Sequence, residues 1–334
     1  MNDFWHQINS PFYALAPMED VTDTVFREIV LRISDPDIPL VLFSEFTSVD
    51  GMLHPVGKQI VSQRLFVSES ERKLLKDRNI KIVAQIWGSD PEKFFKASQI
   101  LKNEYFFDGV DINMGCPVKK IVSQGACSAL IQQPKLAAEI IAAVKEGSGM
   151  PVSVKTRIGF KSIETEAWIS SLLNTEPSAI TVHGRTQKMQ SEGLADWNEI
   201  GKAVKIRNEL KSKTKILGNG DVISLSDAND RINSFNVDGV MIGRGIFANP
   251  WLFTQNSVEK SMDEKIEILK MHCELYVSTW RKNKNFSILK RFFKIYLSGF
   301  PGASALRASM MLSNNLDEVS ALLKNHKLLE SEVA

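Results

Sequence analysis

Residues 214–221 read TKILGNGD and residues 237–245 read VDGVMIGRG, two short apolar runs that each end in glycines and polar residues. Continuous runs rich in Val and Ile are typical of parallel strands buried on both faces. A glycine-bearing turn after such a strand lets backbone N–H groups approach an anion closely. Two such turns at the last two strands match the phosphate site of a TIM barrel, which lies after strands 7 and 8.

Six further runs of the same kind precede these two, with helical patterns between most of them. They begin at Phe12 (FYALAPME), Leu40 (LVLFSEF), Ile80 (IKIVAQIWG), Phe107 (FDGVDINMGC), Pro151 (PVSVKTRIG) and Ala179 (AITVHGR). Eight βα units over about 240 residues match the size of a TIM barrel. A doubly wound sheet is the alternative, but no G-x-G-x-x-G turn follows the first run.

The sequence pattern changes after Trp251, where strand-like apolar runs cease. Helical patterns continue from there, with a turn at SGFPGAS (298–304). We therefore predict an α/β fold, a TIM (β/α)8 barrel followed by a small all-helical C-terminal domain. The predicted division is 1–250 for the barrel and 251–334 for the helices.

The composition is that of an ordinary soluble globular protein. The 334 residues carry 41 Lys+Arg and 39 Asp+Glu, a net charge of +2, with 43% apolar residues. Three cysteines without a C-x-x-C pair argue against a disulfide framework and a cysteine-based zinc site. No H-E-x-x-H pattern, signal peptide or membrane-length apolar run is present. We expect no metal and no membrane association, a cytoplasmic location, and a monomer by default.

The near-zero net charge hides an uneven distribution. Residues 275–316 hold seven basic residues and no acidic one, which leaves a net charge of −5 on the rest of the chain. On a helix starting at Ile288, Lys290, Arg291 and Lys294 would share about 100° of arc. Such a face is usually only solvated, but the complete lack of carboxylates favours contact with a nucleic-acid backbone.

Polar side chains stand at the ends of the predicted strands, where a TIM barrel carries its active site. Lys155 lies in an apolar strand, which is costly unless the ammonium is ion-paired or functional. Gln85 and Asn113 can both donate and accept hydrogen bonds, which suits a heterocycle edge better than a metal. His183, next but one to Arg185, could be structural or functional.

The phosphate prediction rests on Gly218, Gly220, Gly243 and Gly245, with Arg244 as a source of charge-assisted contacts. The glycines could instead serve only to permit tight turns. Cys116 follows strand four in NMGCPVKK, between Gly115 and Pro117. Its thiol could be a nucleophile, an acid or an inert buried group.

Taken together, these motifs resemble the tRNA-dihydrouridine synthase family over nearly the whole chain. The segments are APMEDVTD, NMGCPVKK with QGACSALIQQP, VKTRIG, VHGRT, NGD, IGRG and, in the tail, YLSGFPGASALR. DINMGCP followed by two lysines is the most specific of them. Only QGACSAL is less typical of the family.

The resemblance implies an FMN-containing barrel that reduces a uridine of tRNA, with NADPH as reductant. Carried over motif by motif, the residues expected to contact FMN are Pro17, Met18, Glu19, Gln85, Lys155, His183, Asn219, Gly220, Asp221, Gly243 and Arg244. Asn113 would position the uracil, and Cys116 would donate a proton to C5 after hydride transfer to C6. Arg185, Lys290, Arg291 and Lys294 would contact the RNA. The acid role requires a thiol, so it does not require a strongly lowered cysteine pKa.

Two other interpretations remain open at this stage. An FMN barrel acting on a free pyrimidine or an orotate-like acid would explain the barrel and the phosphate site, but not the acid-free tail. A catalytically dead tRNA-binding protein would leave the chemistry-bearing residues Cys116, Lys155 and His183 unexplained. The uridine position within tRNA does not follow from the sequence.

Overall fold

The computed structural model describes residues 3–255 and 259–331, with side chains up to residue 325. Eight parallel strands close into a barrel, as predicted from the eight apolar runs. They are β1 Phe12–Leu15, β2 Leu40–Phe43, β3 Lys81–Trp87, β4 Gly109–Met114, β5 Val152–Arg157, β6 Ala179–His183, β7 Lys215–Asn219 and β8 Gly239–Ile242. β8 pairs with β1 from Phe12↔Gly239 to Leu15↔Ile242, which closes the barrel. A two-residue strand, Thr47–Ser48, pairs with the end of β3.

Helices surround the barrel and connect its strands. Those before β5 are Phe4–Gln7, Thr24–Ile33, Val49–Leu53, Gly57–Val61, the 3₁₀ helix Ser62–Leu65, Glu69–Asp77, Pro91–Glu104, Lys119–Val122, the 3₁₀ helix Cys127–Gln132 and Pro134–Ser148. Those from β5 to the end of the barrel are Thr165–Leu173, Trp197–Glu209, Leu225–Phe235 and Gly245–Ala248. Helix Pro134–Ser148 is capped by Gly149 at φ +57°.

The barrel has an inner core that the N-terminal helix Phe4–Gln7 completes. Trp5 is fully buried, and its ring lies 5.9 Å from Phe12 of β1 and 6.4 Å from Phe43 of β2. The side chains inside the barrel are small or aliphatic on several strands, including Ala14 and Leu217. Trp5 therefore closes the barrel core beside Phe12, at the amino end of β1.

The C-terminal region is helical, as predicted, in the elements Met262–Trp280, Phe286–Phe292 (3₁₀), Phe293–Tyr296, Ala303–Met310 and Leu316–Ser331. Ser261 and Glu264 form a capping box that starts the first of these helices. This helix packs on Thr24–Ile33, and Phe292 lies 5.2 Å from Phe26 between ring centres. The apolar core is therefore continuous between tail and barrel. A domain boundary at residue 250 stays a prediction.

The predicted helix starting at Ile288 is wrong. The chain there forms a 3₁₀ helix to Phe292 and then a single α-helical turn, Phe293–Tyr296. Leu289, Phe292 and Tyr296 are buried. Because a 3₁₀ helix turns about 120° per residue instead of about 100°, Lys290, Arg291 and Lys294 do not share one regular helical face.

Within the described residues, no helix is both long enough and apolar enough to cross a membrane. Nor do those residues bring together three or more His, Cys, Asp or Glu side chains in a way that could hold a metal ion.

Candidate active site

A cavity of about 450 Å³ opens at the carboxyl ends of the strands. Its lining includes eleven of the residues singled out in the sequence: Pro17, Met18, Lys155, His183, Arg185, Asn219, Gly220, Asp221, Gly243, Arg244 and Gly245. They come from β5, from the ends of β6 and β7, and from the loops after β1, β6, β7 and β8, which meet only because the barrel closes. The cavity lies in the size range of small-molecule and cofactor sites.

The loops after β7 and β8 form one wall of this cavity. Gly220 has φ +129°, and a Cβ on it would lie 2.5 Å from Ala195, so this position requires glycine. Gly243 differs, because a Cβ there would meet only Ala16 at 3.6 Å and Met18 at 4.0 Å. The glycine at 243 therefore leaves free space beside the cavity rather than relieving a clash, as expected where a ligand approaches the backbone.

Lys155 and Asn219 form the floor of the cavity. The Lys155 ammonium donates to Asn219 Oδ1 at 3.2 Å, and Asn219 Nδ2 donates to the Met241 carbonyl at 2.8 Å. Burial, and then the charge of Arg157, lower the pKa of Lys155 to about 8, against the opposing effect of Asp111. Lys155 is therefore mostly protonated at neutral pH and directs a partly desolvated positive charge into the cavity.

His183 is held as a neutral imidazole. Burial and the nearby Lys155, Arg157, Arg185 and Arg244 lower its pKa well below the ordinary value. The Arg185 guanidinium lies 3.2 Å from His183 Nε2, and because arginine can only donate, Nε2 must accept and the proton must reside on Nδ1. The imidazole therefore presents a donor on its other nitrogen.

Arg185 lies in the wall of the site and not on the protein surface. Only 2% of it is exposed, and its guanidinium donates to both Asp221 oxygens, at 2.7 and 2.8 Å. It also donates to the carbonyls of Glu192 and Gly193. An RNA contact through Arg185 would require breaking these bonds, whereas Arg244 is 64% exposed and lies 3.6 Å from Asp221.

Four other predicted residues of the barrel do not line this cavity: Glu19, Gln85, Asn113 and Cys116. Glu19 is exposed and pairs with Arg64 at 2.7 Å. Gln85 is fully buried, and its amide donates to Asp111 Oδ2 at 2.7 Å and accepts from Asn113 Nδ2 at 3.0 Å. Both amides are thus committed to a network beneath the Cys116 loop.

Cys116 is half-buried in the loop after β4. Its N–H donates to Asn113 Oδ1 at 2.9 Å, and its carbonyl accepts from Ser128 Oγ at 2.8 Å. The pKa of the thiol is lowered from 9.0 to about 7, mainly by a hydrogen bond with the Cys127 thiol. Burial opposes this shift, while the Val118 N–H and Arg157 add to it. The sequence did not anticipate a depressed pKa here.

Two charged residues that the sequence analysis did not single out are built into the site. Arg157 is 6% exposed and donates from Nε to the Gly115 carbonyl at 2.6 Å and from Nη1 to the Thr186 and Gln190 carbonyls. It thereby ties the Cys116 loop to the loop after β6. Asp111 is fully buried at the centre of the amide network. A charged residue within an apolar strand, the signal that identified Lys155, is also present at both positions.

Two of the seven basic residues of the tail, Lys284 and Arg291, pair with carboxylates of the barrel. Lys284 lies 3.1 Å from Asp23 and 3.6 Å from Glu45, and Trp280 Nε1 donates to Asp23 at 2.8 Å. Arg291 contacts Asp20, at 3.6 Å to the carboxylate and 3.0 Å to the carbonyl. We call these six residues the tail–barrel latch.

The remaining tail cations divide into two groups. Lys290 donates to the Met311 carbonyl at 2.8 Å and Arg307 to the Leu297 carbonyl at 2.7 Å. Arg281, Lys282 and Lys294 are exposed. The barrel loops thus supply counter-charges to two of the seven basic residues of the tail.

With the site described, the comparisons with known proteins identify the family. The model of the family described as "Dihydrouridine synthase (Dus)" matches residues 14–332. The chain belongs to the dihydrouridine synthase family. It is 42% identical over 323 residues to a probable tRNA-dihydrouridine synthase 2 of Bacillus subtilis (strain 168), covering 96% of this chain and 95% of that protein. It is 40% identical over 324 residues to a probable tRNA-dihydrouridine synthase of Staphylococcus aureus (strain COL), covering 96% and 94%.

Similar solved structures confirm the barrel fold. The 6-hydroxypseudooxynicotine amine oxidase of Pseudomonas geniculata N1 has a TM-score of 0.54 at 13% identity, covering 87% of this chain and 56% of that one. A 2-naphthoyl-CoA reductase complex has a TM-score of 0.52 at 11% identity, covering 72% and 49%. This chain thus spans about half the length of either protein, and at such low identity the likeness concerns the fold alone.

Proposed function

We propose that this protein is an FMN-dependent tRNA-dihydrouridine synthase that uses NADPH as reductant. The observation that carries the proposal is the cavity lined by the cationic Lys155 and Arg244 and the neutral His183, lying at the same barrel end as the Cys116 loop. Membership of the family and the names of its relatives in two bacteria support a uridine of tRNA as the substrate.

The residues present fit FMN. The space beside Gly243 and the exposed Arg244 suit a phosphate, and the apolar side chains of Ala16, Pro17 and Met18 suit the face of an aromatic ring. Lys155 and the Nδ1–H of His183 are donors that can meet the polar edge of the ring system. Bound FMN would supply a hydride to C6 of the uracil, and NADPH would restore the reduced cofactor.

The chain's own contribution to the chemistry is a proton. Hydride addition at C6 builds negative charge at C5 and its conjugated carbonyl, so C5 must be protonated. Cys116 is the candidate donor, because its thiol is partly accessible and its pKa of about 7 is close to neutral pH. A uridine must leave its stack to reach this loop, as in other enzymes that act on a base.

RNA contacts are proposed for the exposed basic residues of the tail. Of the three predicted residues, Lys294 is exposed, whereas Lys290 and Arg291 already bond to Met311 and Asp20. Arg281 and Lys282 join Lys294 as candidates on grounds of exposure. The division into a catalytic barrel, 1–250, and a tRNA-binding helical domain, 251–334, is part of this proposal.

The test is turnover by the purified protein. We expect bound flavin, and NADPH oxidation that depends on unmodified tRNA and yields dihydrouridine in the RNA. Cys116→Ala should retain flavin and lose most tRNA reduction, with buried Cys273→Ala as the control. Turnover of free uridine or orotate without tRNA would favour the small-substrate oxidoreductase, and tRNA binding without flavin would favour an inactive binder.

A further inference from the structure

A buried chain of hydrogen bonds runs from Asp111 to the backbone of Cys116. Gln85 Nε2 donates to Asp111 Oδ2 at 2.7 Å, and Asn113 Nδ2 donates to Gln85 Oε1 at 3.0 Å. Asn113 Oδ1 accepts from the N–H groups of Gly115 at 3.0 Å and Cys116 at 2.9 Å. The side chains of Gln85 on β3 and Asn113 on β4 thus connect the Asp111 carboxylate, in the middle of β4, to the loop that presents the Cys116 thiol.

The donor-to-acceptor direction of these hydrogen bonds is set at both ends of the row. Gln85 and Asn113 have amides that can be turned over, so neither determines by itself which atom faces its neighbour. An ionised carboxylate can only accept, so Asp111 requires the NH₂ group of Gln85. That choice turns Gln85 Oε1 toward Asn113, and in turn aims Asn113 Oδ1 at the two loop N–H groups.

We propose that Asp111 is a positioning residue, which acts through Gln85 and Asn113 to fix the backbone of Cys116. The role assigned to the thiol rests on the proposed function, but the positioning itself does not. Asp111 touches neither the cavity nor the thiol, so its effect on the reaction is indirect.

The other groups around Asp111 do not set this direction. Ser153 Oγ donates to Asp111 Oδ1 at 2.6 Å, but a hydroxyl can equally accept, so it adapts to whatever it faces. Lys155 interacts with Asp111 through charge, without a direct hydrogen bond among those described. The competing explanation is therefore that the negative charge of Asp111, and not its acceptor capacity, matters.

Two variants of equal charge separate these explanations. In Asp111→Asn the amide oxygen can still accept from Gln85 while its NH₂ donates to Ser153, so the chain keeps its direction. Asp111→Leu has similar volume and the same loss of charge, but offers Gln85 no acceptor. Ser153→Ala is the matched control, since it removes a bond to the same carboxylate that does not lie on the path to Cys116.

The readout is the pH dependence of Cys116 alkylation by iodoacetamide, which needs neither flavin nor tRNA. The other two cysteines of the chain, Cys127 and Cys273, are buried. A displaced loop loses the Cys127 and Val118 contacts that lower the thiol pKa. We expect a midpoint at least 0.5 pH units higher in Asp111→Leu than in Asp111→Asn. Ser153→Ala should lie within 0.2 units of wild type, and tRNA reduction should be at least tenfold slower in Asp111→Leu than in Asp111→Asn.

Equal midpoints in the two Asp111 variants, or a Ser153→Ala shift as large as that of Asp111→Leu, would overturn the proposal. If Asp111→Leu does not fold, Asn113→Asp tests the same point, because a second carboxylate demands that Gln85 turn over. Adding Asp111→Asn then allows both hydrogen bonds of the Gln85 amide to reverse, so the double variant should unfold at a higher urea concentration than Asn113→Asp alone. A double variant no more stable than the single one would refute the shared direction.

Discussion

The pKa of Cys116 makes a sharp prediction about the rate of proton donation. If the thiol is the donor, the rate of uridine reduction must follow the protonated fraction. With a pKa of about 7, that fraction is about 50% at pH 7, about 9% at pH 8 and about 1% at pH 9. A thiol with the ordinary value of 9.0 would remain protonated across most of this range.

The assay is a single turnover of prereduced enzyme with excess tRNA, between pH 6 and pH 9.5. Because protonation is lost as pH rises through the folded-state pKa, the rate should be highest at low pH. It should fall about fivefold from pH 7 to pH 8 and about tenfold for each further unit. Iodoacetamide should show the complementary curve, since it reacts with the thiolate.

Lys155 titrates nearby, with a pKa of about 8, so the kinetic profile alone does not identify the group. The residual rate of Cys116→Ala provides the control, because it should lack the fall near pH 7. A flat wild-type profile up to pH 9, or the same fall in Cys116→Ala, would refute the assignment of the acid. So would an alkylation midpoint near 9.

Three further predictions concern the tail and the phosphate site. Lys284→Met should lower the free energy of unfolding in urea by about 3 kcal/mol, because it leaves buried carboxylates of the tail–barrel latch without their cation. The control, Lys294→Met at an exposed position, should change this free energy by less than about 0.5 kcal/mol. Equal effects of the two substitutions would contradict the latch. Arg244→Ala should weaken FMN binding about fivefold in a fluorescence titration of the apoprotein. The effect is modest because the side chain is 64% exposed. An unchanged affinity would place the phosphate elsewhere. Replacing Lys290, Arg291 and Lys294 together by alanine should reduce the slope of log K for tRNA binding against log salt concentration by about 0.9. This is the contribution of one phosphate contact, that of Lys294, because Lys290 and Arg291 already bond to Met311 and Asp20. An unchanged slope would place the RNA on another face.

Within the barrel, local sequence information went far. Each of the eight apolar runs became a strand, because a strand buried on both faces needs apolar side chains throughout. Lys155 and the glycine turns after β7 and β8 were recognisable because they depart from the apolar pattern of a buried strand. They are costly or unusual in their local setting, and the cavity forms where they meet.

In the tail, local sequence information did not predict the partners of the basic residues. From Leu275 to Leu316 the sequence contains no carboxylate, and the obvious partner for the basic residues was RNA. The structure brings Asp20, Asp23 and Glu45 from the barrel loops to Lys284 and Arg291. Counter-charges far away in sequence are not visible in a segment's composition, because pairing is decided by which surfaces pack.

The sequence by itself determined the strands, the helical tail, the family resemblance and most side chains that line the cavity, because each depends on residue type at a local spacing. Tertiary structure decided which of those side chains are free to bind a ligand. Arg185 is committed to Asp221, Gln85 to Asp111, and the thiol of Cys116 to a hydrogen bond that lowers its pKa. Hydrogen-bond partners and burial set these states, and both arise only when distant strands come together.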